Sequence, residues 1–179
     1  KNEKDMPKKY KPLFAAVAGD FHIQKQNYPK AIEQMKVAAS IAKKREDRIR
    51  YSYILAQLYQ KLDSNEQAFA LYRKVIKMNP PYEMAFNAKI NRARAFDVNS
   101  AEAPKVKEEL QKMLKDEKNA DYKDQIYYAL AGIAMREKDT TTALSYLKES
   151  VGASTTNTNQ KGLSYLEMGE IGLRKSDFR

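Results

Sequence analysis

The sequence predicts an all-α protein built as a stack of helical hairpins. Small residues recur at a nearly constant spacing along the 179 residues: Gly19, Ala56, Ala93, Ala131 and Gly169 lie 37, 37, 38 and 38 positions apart. Between these residues, apolar side chains return every three to four positions, as they do on one face of a helix. A fixed period of this length is typical of repeat proteins, in which each unit buries its apolar face against its neighbours.

The clearest repeat spans residues 49–82. Its predicted apolar face consists of Leu55, Ala56 and Tyr59 on a first helix and Ala68, Tyr72, Val75 and Ile76 on a second. The polar run 62–65 predicts the turn between the two helices, and Ser64 is placed to cap the second one. Two prolines end the hairpin, because the residue before Pro80 is disfavoured in a helix, and Pro81 can open the next one.

The same pattern, in weaker form, divides the rest of the chain. We place the repeats at residues 12–48, 49–82, 83–121 and 122–157, with a half repeat at 158–179. In each repeat the recurring small residue is expected where the two helices cross, since a larger side chain would push the backbones apart. The segment 152–160 is rich in Ser, Thr and Asn and predicts a loop. The final predicted helix, 162–175, has no second helix after it, and we expect that it can pair with another copy of the chain.

The charge of the chain is concentrated at its N-terminal end. The net charge is +10, and residues 1–50 hold 13 basic and 6 acidic residues. A basic end can meet nucleic acid, an anionic membrane surface or an acidic protein, but a solvated terminus with lysine-rich helix faces is the simpler interpretation. A nucleic-acid-binding groove needs cations along its length, so this layout favours a protein partner, with a helical-repeat nucleic-acid-binding module as the alternative.

The residues needed for catalysis or metal binding are scarce. The chain has no cysteine and one histidine, His22, whereas a zinc site usually needs several such ligands. It has no Gly-x-Ser-x-Gly nucleophile turn and no glycine-rich phosphate loop. We therefore predict no enzyme activity, no cofactor and no metal, with a regulatory domain attached to an enzyme elsewhere in a longer chain as the alternative.

No apolar run reaches the roughly 20 residues of a membrane helix. The chain begins at Lys1 and stops partway through a repeat, so we expect it to be a piece of a longer protein.

Six residues of the second repeat carry a family resemblance: Leu55, Ala56, Tyr59, Ala68, Tyr72 and Pro80. In their order and spacing they resemble the tetratricopeptide repeat. The resemblance implies a right-handed superhelical solenoid of antiparallel hairpins, with about four and a half repeats here. It also implies a protein or peptide partner that binds on the concave wall formed by the first helix of each repeat.

Carried over from that family, the concave wall would include Arg50, Tyr53, Gln57 and Gln60 in the second repeat and Gln125 and Tyr128 in the fourth. In the third repeat, Asn87, Asn91 and Arg94 lie at i, i+4 and i+7 and form one polar stripe. Amides can bond peptide groups in both directions, and arginine binds carboxylates through two parallel bonds. This stripe predicts a contact with a peptide backbone or a carboxylate.

Two sequence segments, residues 79–91 and 156–162, resemble a narrower group within the tetratricopeptide repeat family. They look like the large tetratricopeptide lipoproteins of Bacteroidetes cell envelopes, which include the gliding-motility and type IX secretion component. That resemblance implies a scaffold on the periplasmic side of the outer membrane, anchored outside this chain. A cytoplasmic location is the alternative.

Overall fold

The computed structural model describes residues 7–97 and 99–176. Within these ranges the chain is helical and forms no strand, which confirms the all-α prediction. The chain divides into two compact units, Lys1–Ala95 and Phe96–Arg179. The helices of unit 1 are α1 (Lys11–Gln24), α2 (Tyr28–Ile41), α3 (Arg45–Lys61), α4 (Asn65–Lys77) and α5 (Tyr82–Ala95). Those of unit 2 are α6 (Ala103–Lys115), α7 (Lys123–Arg136), α8 (Thr140–Ala153) and α9 (Thr158–Ser176), with a 3-10 helix at Glu117–Tyr122.

Within unit 1, each helix packs on its neighbours in the chain, α1 on α2, α2 on α3, α3 on α4 and α4 on α5. This is the contact pattern of a repeat protein, in which each unit touches its neighbours. The predicted crossing residues Gly19 and Ala56 are both buried. A Cβ atom added to Gly19 would lie 2.8 Å from Cε of Met35, so the helices α1 and α2 approach closely there.

The two hairpins of unit 1 turn through the same backbone geometry. Gln26 and Asp63 both adopt a left-handed conformation with φ of 54°. The N–H of the next residue then reaches back over the helix end: Asn27 donates to the carbonyl of His22 at 2.8 Å, and Ser64 donates to that of Tyr59 at 2.9 Å. This is the Schellman termination, which satisfies carbonyls that the end of a helix leaves unpaired.

The predicted cap at Ser64 is wrong in its chemistry. Ser64 is the residue that precedes α4, but its side chain accepts no hydrogen bond from that helix. Its hydroxyl instead donates to the carbonyl of Leu62, because the tight left-handed turn brings that oxygen within 3.5 Å. In the first hairpin the corresponding Asn27 does cap its helix, by accepting from the N–H of Lys30 at 3.4 Å.

The link between α4 and α5 follows the prolines, as predicted. α4 ends at Lys77, and the carbonyl of Pro81 accepts from the N–H of Ala85 at 2.9 Å, which opens α5. The guanidinium of Arg45, at the start of α3, donates to the carbonyl oxygens of Met78 and Asn79. Arg45 therefore closes the C-terminal end of α4 from the neighbouring helix.

Unit 2 contains one hairpin of the same kind, α7–α8, with α6 packed on α7 and α9 packed on α8. Its turn places Lys138 at φ 63°, and the N–H of Asp139 donates to the carbonyl of Ala134 at 2.9 Å. The loop predicted at 152–160 is shorter than expected, since α8 continues to Ala153 and α9 begins at Thr158. α9 consequently starts earlier than the predicted 162. The 3-10 helix was not predicted, because nothing in its sequence, EKNADY, shows a helical period.

The recurring small residues behave differently toward the end of the chain. Ala131 is buried in α7, as predicted for a crossing position. Gly169 is exposed, and a Cβ atom added to it would meet nothing within 4 Å. The close approach predicted at Gly169 is therefore wrong, because α9 is the last helix of the described residues and no following helix crosses it there. The predicted third repeat, 83–121, has its two helices in different units and stays a prediction.

Candidate partner-binding face

Six of the predicted wall residues lie on α3 and α5 of unit 1. Tyr53, Gln57 and Gln60 follow one another on α3 at i, i+4 and i+7, and the stripe on α5 has the same spacing, so each set occupies one helix face. Gln57, Asn87 and Arg94 are exposed, whereas Tyr53, Gln60 and Asn91 are half-buried. We call these six residues the α3–α5 face.

One hydrogen bond joins α3 to α5 across this face, and contacts from Tyr72 on α4 support the α3 side of it. Nδ2 of Asn91 donates to the hydroxyl of Tyr53 over 3.4 Å, a contact between residues 38 positions apart in the chain. The ring of Tyr53 packs edge-on against that of Tyr72, with centroids 5.8 Å apart. The hydroxyl of Tyr72 donates to Oε1 of Gln60 at 2.8 Å. The half-buried members of the face are thus arranged around one core tyrosine.

Tyr72 supports the α3–α5 face from the hydrophobic core of unit 1. It lies on α4, is fully buried, and belongs to a cluster with Ile49, Ala56, Ala68 and Val75. Burial raises the pKa of the Tyr72 hydroxyl, and the neighbouring Tyr53 raises it further, while Arg94 and Asn91 oppose the shift. Burial also raises the pKa of Tyr53, against the hydrogen bond from Asn91. Both hydroxyls are therefore neutral at physiological pH and act as hydrogen-bonding groups.

Arg50, a seventh predicted wall residue, contacts other groups. Its guanidinium lies 3.6 Å from the carboxylate of Asp47 and 5.4 Å from the ring centroid of Tyr51. Tyr51 is buried and Asp47 half-buried, so these contacts direct Arg50 toward the N-terminal end of α3. The two remaining wall residues, Gln125 and Tyr128, lie on α7 in unit 2, where both are half-buried. Tyr128 packs against a core cluster that includes Ala131, Leu147 and Ile171.

The role of the Tyr72 hydroxyl was missed by the sequence reasoning, which assigned Tyr72 to the core. The assignment to the core is right, since its ring is fully buried. A signal was nevertheless present, because a buried tyrosine hydroxyl needs a partner and Gln60 is the amide nearest the turn on the facing helix. No signal pointed to Asn91 as the partner of Tyr53, since the two residues belong to different predicted repeats.

Two findings bear on other kinds of site. Among the residues that the structure describes, no three or more His, Cys, Asp or Glu side chains gather as a metal ion would need. In the same part of the chain, no helix combines the length and the apolar character needed to cross a bilayer.

Comparison with known families identifies one part of the chain. Residues 49–82 match the tetratricopeptide repeat. This segment is a tetratricopeptide repeat. It contains most of α3 and all of α4, the hairpin that carries Tyr53, Gln57, Gln60 and Tyr72. Tetratricopeptide repeats generally mediate protein–protein interactions and typically form scaffolds without catalytic activity. No curated protein matches the chain, and the narrower resemblance to envelope lipoproteins stays a prediction.

Proposed function

We propose that this chain is a non-catalytic interaction scaffold that binds a peptide or protein partner on the α3–α5 face. The observation that carries the proposal is the hydrogen bond from Asn91 to Tyr53, which joins the polar faces of two helices into one surface. Beside this bond, Gln57, Asn87 and Arg94 are exposed to solvent. A tetratricopeptide repeat at residues 49–82 supports the same interpretation.

The chemistry of the face suits a peptide backbone that ends in, or carries, a carboxylate. The amides of Gln57 and Asn87 can each donate to a peptide carbonyl and accept from a peptide N–H. Arg94 supplies a planar cation for a carboxylate. The half-buried residues hold their rotamers through the contacts around Tyr72, so the exposed groups lie on a surface that is ordered before a partner arrives.

The test compares two double variants of exposed residues. Asn87→Ala with Arg94→Ala removes an amide and a cation from the face, and Gln67→Ala with Lys74→Ala removes another amide and another cation from exposed positions of α4. A partner captured from native extract and identified by mass spectrometry is titrated against each purified protein. We expect the first variant to bind about tenfold or more weakly, because hydrogen bonds to charged groups contribute more than neutral ones. Equal affinity for the two variants would remove the α3–α5 face from the proposal.

The alternative, binding of nucleic acid, predicts a different measurement. Affinity for an oligonucleotide would fall steeply with salt concentration, because bound cations release counterions from the phosphates. We expect no salt-sensitive binding of an oligonucleotide by the wild-type chain. Salt-sensitive binding of an oligonucleotide would favour the nucleic-acid alternative. If Asn87→Ala with Arg94→Ala bound it equally well, the nucleic acid would bind outside the α3–α5 face.

As the setting of this scaffold, we propose the periplasmic side of a bacterial outer membrane, in an assembly of the gliding-motility and type IX secretion kind. The support is the resemblance carried by residues 79–91 and 156–162. Protease treatment of the native host tests it. Digestion after the outer membrane alone is permeabilised supports the periplasm, whereas digestion only after the inner membrane is also opened indicates the cytoplasm.

We also propose that α9 can pair with a second copy. Leu163, Leu166 and Leu173 are exposed on this helix, and Leu166 is 62% exposed. Sedimentation velocity of Leu166→Glu tests the pairing. We expect the wild-type chain to dimerise with concentration and the variant to stay monomeric, and identical behaviour of the two would contradict the proposal.

A further inference from the structure

The first helix of unit 1 is apolar on two opposite faces. One face, with Ala15, Ala16 and Gly19, is buried in the packing of the unit. The other face, together with Tyr10 just before the helix, carries large apolar side chains that are 43% to 60% exposed: Tyr10, Leu13, Phe14, Val17 and Phe21. Their spacing of three or four residues places them on one side of the helix. We call these five residues the α1 stripe.

A stripe of this kind is unusual on a surface that meets only water. A helix that is apolar all round is normally buried on all sides, and contiguous exposed apolar side chains mark interaction sites. The α1 stripe spans about three helical turns, which is about 16 Å at 1.5 Å per residue. That length and the regular spacing match the contact line of one helix lying along another.

The N-terminal end of the stripe opens into a basic cavity. Tyr10 and Leu13 line a cavity of about 340 Å³ at the start of α1 and α3. Its charged lining residues are Lys8, Lys9, Lys43, Lys44, Arg50 and Asp47. Asp47, the one carboxylate among these lining residues, is paired with Arg50. An apolar stripe therefore continues directly into a concentration of positive charge.

We propose that the α1 stripe and the basic cavity together bind an amphipathic helix of a partner protein, one whose apolar side covers the stripe and whose acidic residues enter the cavity. Charge complementarity selects this occupant. A parallel second copy of α1 would bring Lys8 and Lys9 against the same cations, and an antiparallel copy would bring one carboxylate, Asp20, together with Lys25 toward the five cations of the cavity. A second copy therefore matches the charge of the cavity poorly. This surface shares no residue with the α3–α5 face, and the proposal is independent of the one made for that face.

Two synthetic peptides serve as probes. Both form an amphipathic helix with the same leucine stripe, and they differ only in that one carries glutamate and the other lysine on the flanks. Binding to the full chain is measured by fluorescence anisotropy. Apolar contacts alone would bind both peptides equally, so we expect the glutamate peptide to bind at least about tenfold more tightly. Absence of binding, or equal affinity for the two peptides, overturns the proposal.

Variants with matched controls locate the binding. Val17→Glu changes the centre of the α1 stripe, and Val37→Glu is the same substitution at an exposed valine of α2 that belongs to neither proposed surface. Lys43→Glu with Lys44→Glu reverses two charges of the cavity, and Lys105→Glu with Lys148→Glu does so at exposed positions of α6 and α8. All four sets of side chains are exposed, and helical circular dichroism checks that each variant folds.

We expect the affinity for the glutamate peptide to fall about tenfold or more in Val17→Glu and in the cavity variant, and to be unchanged in both controls. Equal losses in a test variant and its control overturn the proposal. Two other occupants are distinguished with the same proteins. A dimer of the wild-type chain that Val17→Glu abolishes, or binding to phosphatidylglycerol vesicles that outcompetes the glutamate peptide, assigns the surface to a second copy or to a membrane and overturns the proposal as well.

Discussion

The two units use polar side chains in opposite ways, although both contain the same kind of helical hairpin. In unit 1 the polar residues around Tyr72 are half-buried and reach the surface beside exposed amides and Arg94. In unit 2 a second polar network is closed from solvent. Its members are all 5% exposed or less: Asp124, Ser150, Ser154, Gln160 and Ser164. The comparison shows that a polar residue on a helix face can belong to a binding surface or to the core, and that burial distinguishes the two.

The network of unit 2 joins three helices. The hydroxyl of Ser150 on α8 donates to the backbone carbonyl of Asp124 on α7 at 2.8 Å, and it lies 2.8 Å from the hydroxyl of Ser164 on α9. The hydroxyl of Ser154 has two acceptors, the carbonyl oxygen of Ser150 at 2.9 Å and the carboxylate of Asp124 at 3.2 Å. The N–H of Gln125 also donates to that carboxylate, at 2.8 Å. Buried networks of this kind fix helix positions when every group has a partner, and they destabilise the fold when one partner is lost.

The largest effect is expected from breaking the closed network of unit 2. Asp124→Ala removes a buried carboxylate, the acceptor of the Gln125 N–H and one of the two acceptors of the Ser154 hydroxyl. We therefore expect it to destabilise the chain by about 3 kcal/mol. Chemical denaturation followed by circular dichroism measures the change. Asp121→Ala, at an exposed position of the 3-10 helix, is the control, and an equal loss in both variants would contradict the role given to the network.

The second largest effect is expected at the helix crossings, where the two units differ. Ala56 is fully buried between α3 and its neighbours, whereas Gly169 on α9 has open space around it. We expect Ala56→Leu to destabilise the chain by about 1–3 kcal/mol through overpacking, and Gly169→Leu to leave it as stable or slightly more stable. Denaturant midpoints of both variants provide the measurement. If Ala56→Leu unfolds at the wild-type midpoint, the crossing has been placed wrongly.

A smaller effect is expected from opening the network of unit 1. Tyr72→Phe keeps the buried ring and removes only the hydroxyl that donates to Gln60. Because Gln60 is half-buried and water can replace the lost donor, we expect a loss of about 1 kcal/mol, below that of Asp124→Ala. Tyr165→Phe, at an exposed position of α9, is the control. A loss as large as that of Asp124→Ala would show that the two networks are equally closed and would break the comparison.

The parts of the fold that could be predicted from sequence are those that depend on residues close together in the chain. The polar turn at 62–65 and the prolines Pro80 and Pro81 located both ends of α4, and the three-to-four spacing located the buried Ala56 and Tyr72. The match of the tetratricopeptide repeat to residues 49–82 falls on the segment with the clearest local signals.

The contacts that could not be predicted join residues that are far apart in the sequence. The pairing of Tyr53 with Asn91 joins two repeats, and Ser154 meets Asp124 from 30 positions away. Neither pair has a periodic signal, because a polar residue at a helix position has the same spacing whether it faces water or another helix. The basic cavity was assigned to a solvated terminus for the same reason, since sequence alone does not show that Lys43 and Lys44 lie beside Lys8 and Lys9.

The hairpin turns are where the two units agree, and they give the smallest expected effect. Gln26, Asp63 and Lys138 all occupy the left-handed conformation that glycine usually supplies, with φ of 54°, 54° and 63°. A residue with a side chain costs about 1 kcal/mol in this conformation. Replacing it with glycine removes that cost, but glycine loses more conformational entropy on folding, which offsets part of the gain. We therefore expect Lys138→Gly to stabilise unit 2, and Asp63→Gly to stabilise unit 1, each by about 0.5 kcal/mol. Lys148→Gly, in the exposed interior of α8, should instead lose about 1 kcal/mol. Thermal unfolding of the three variants checks the prediction, and a loss of stability in Lys138→Gly alone would show that the units do not share one turn.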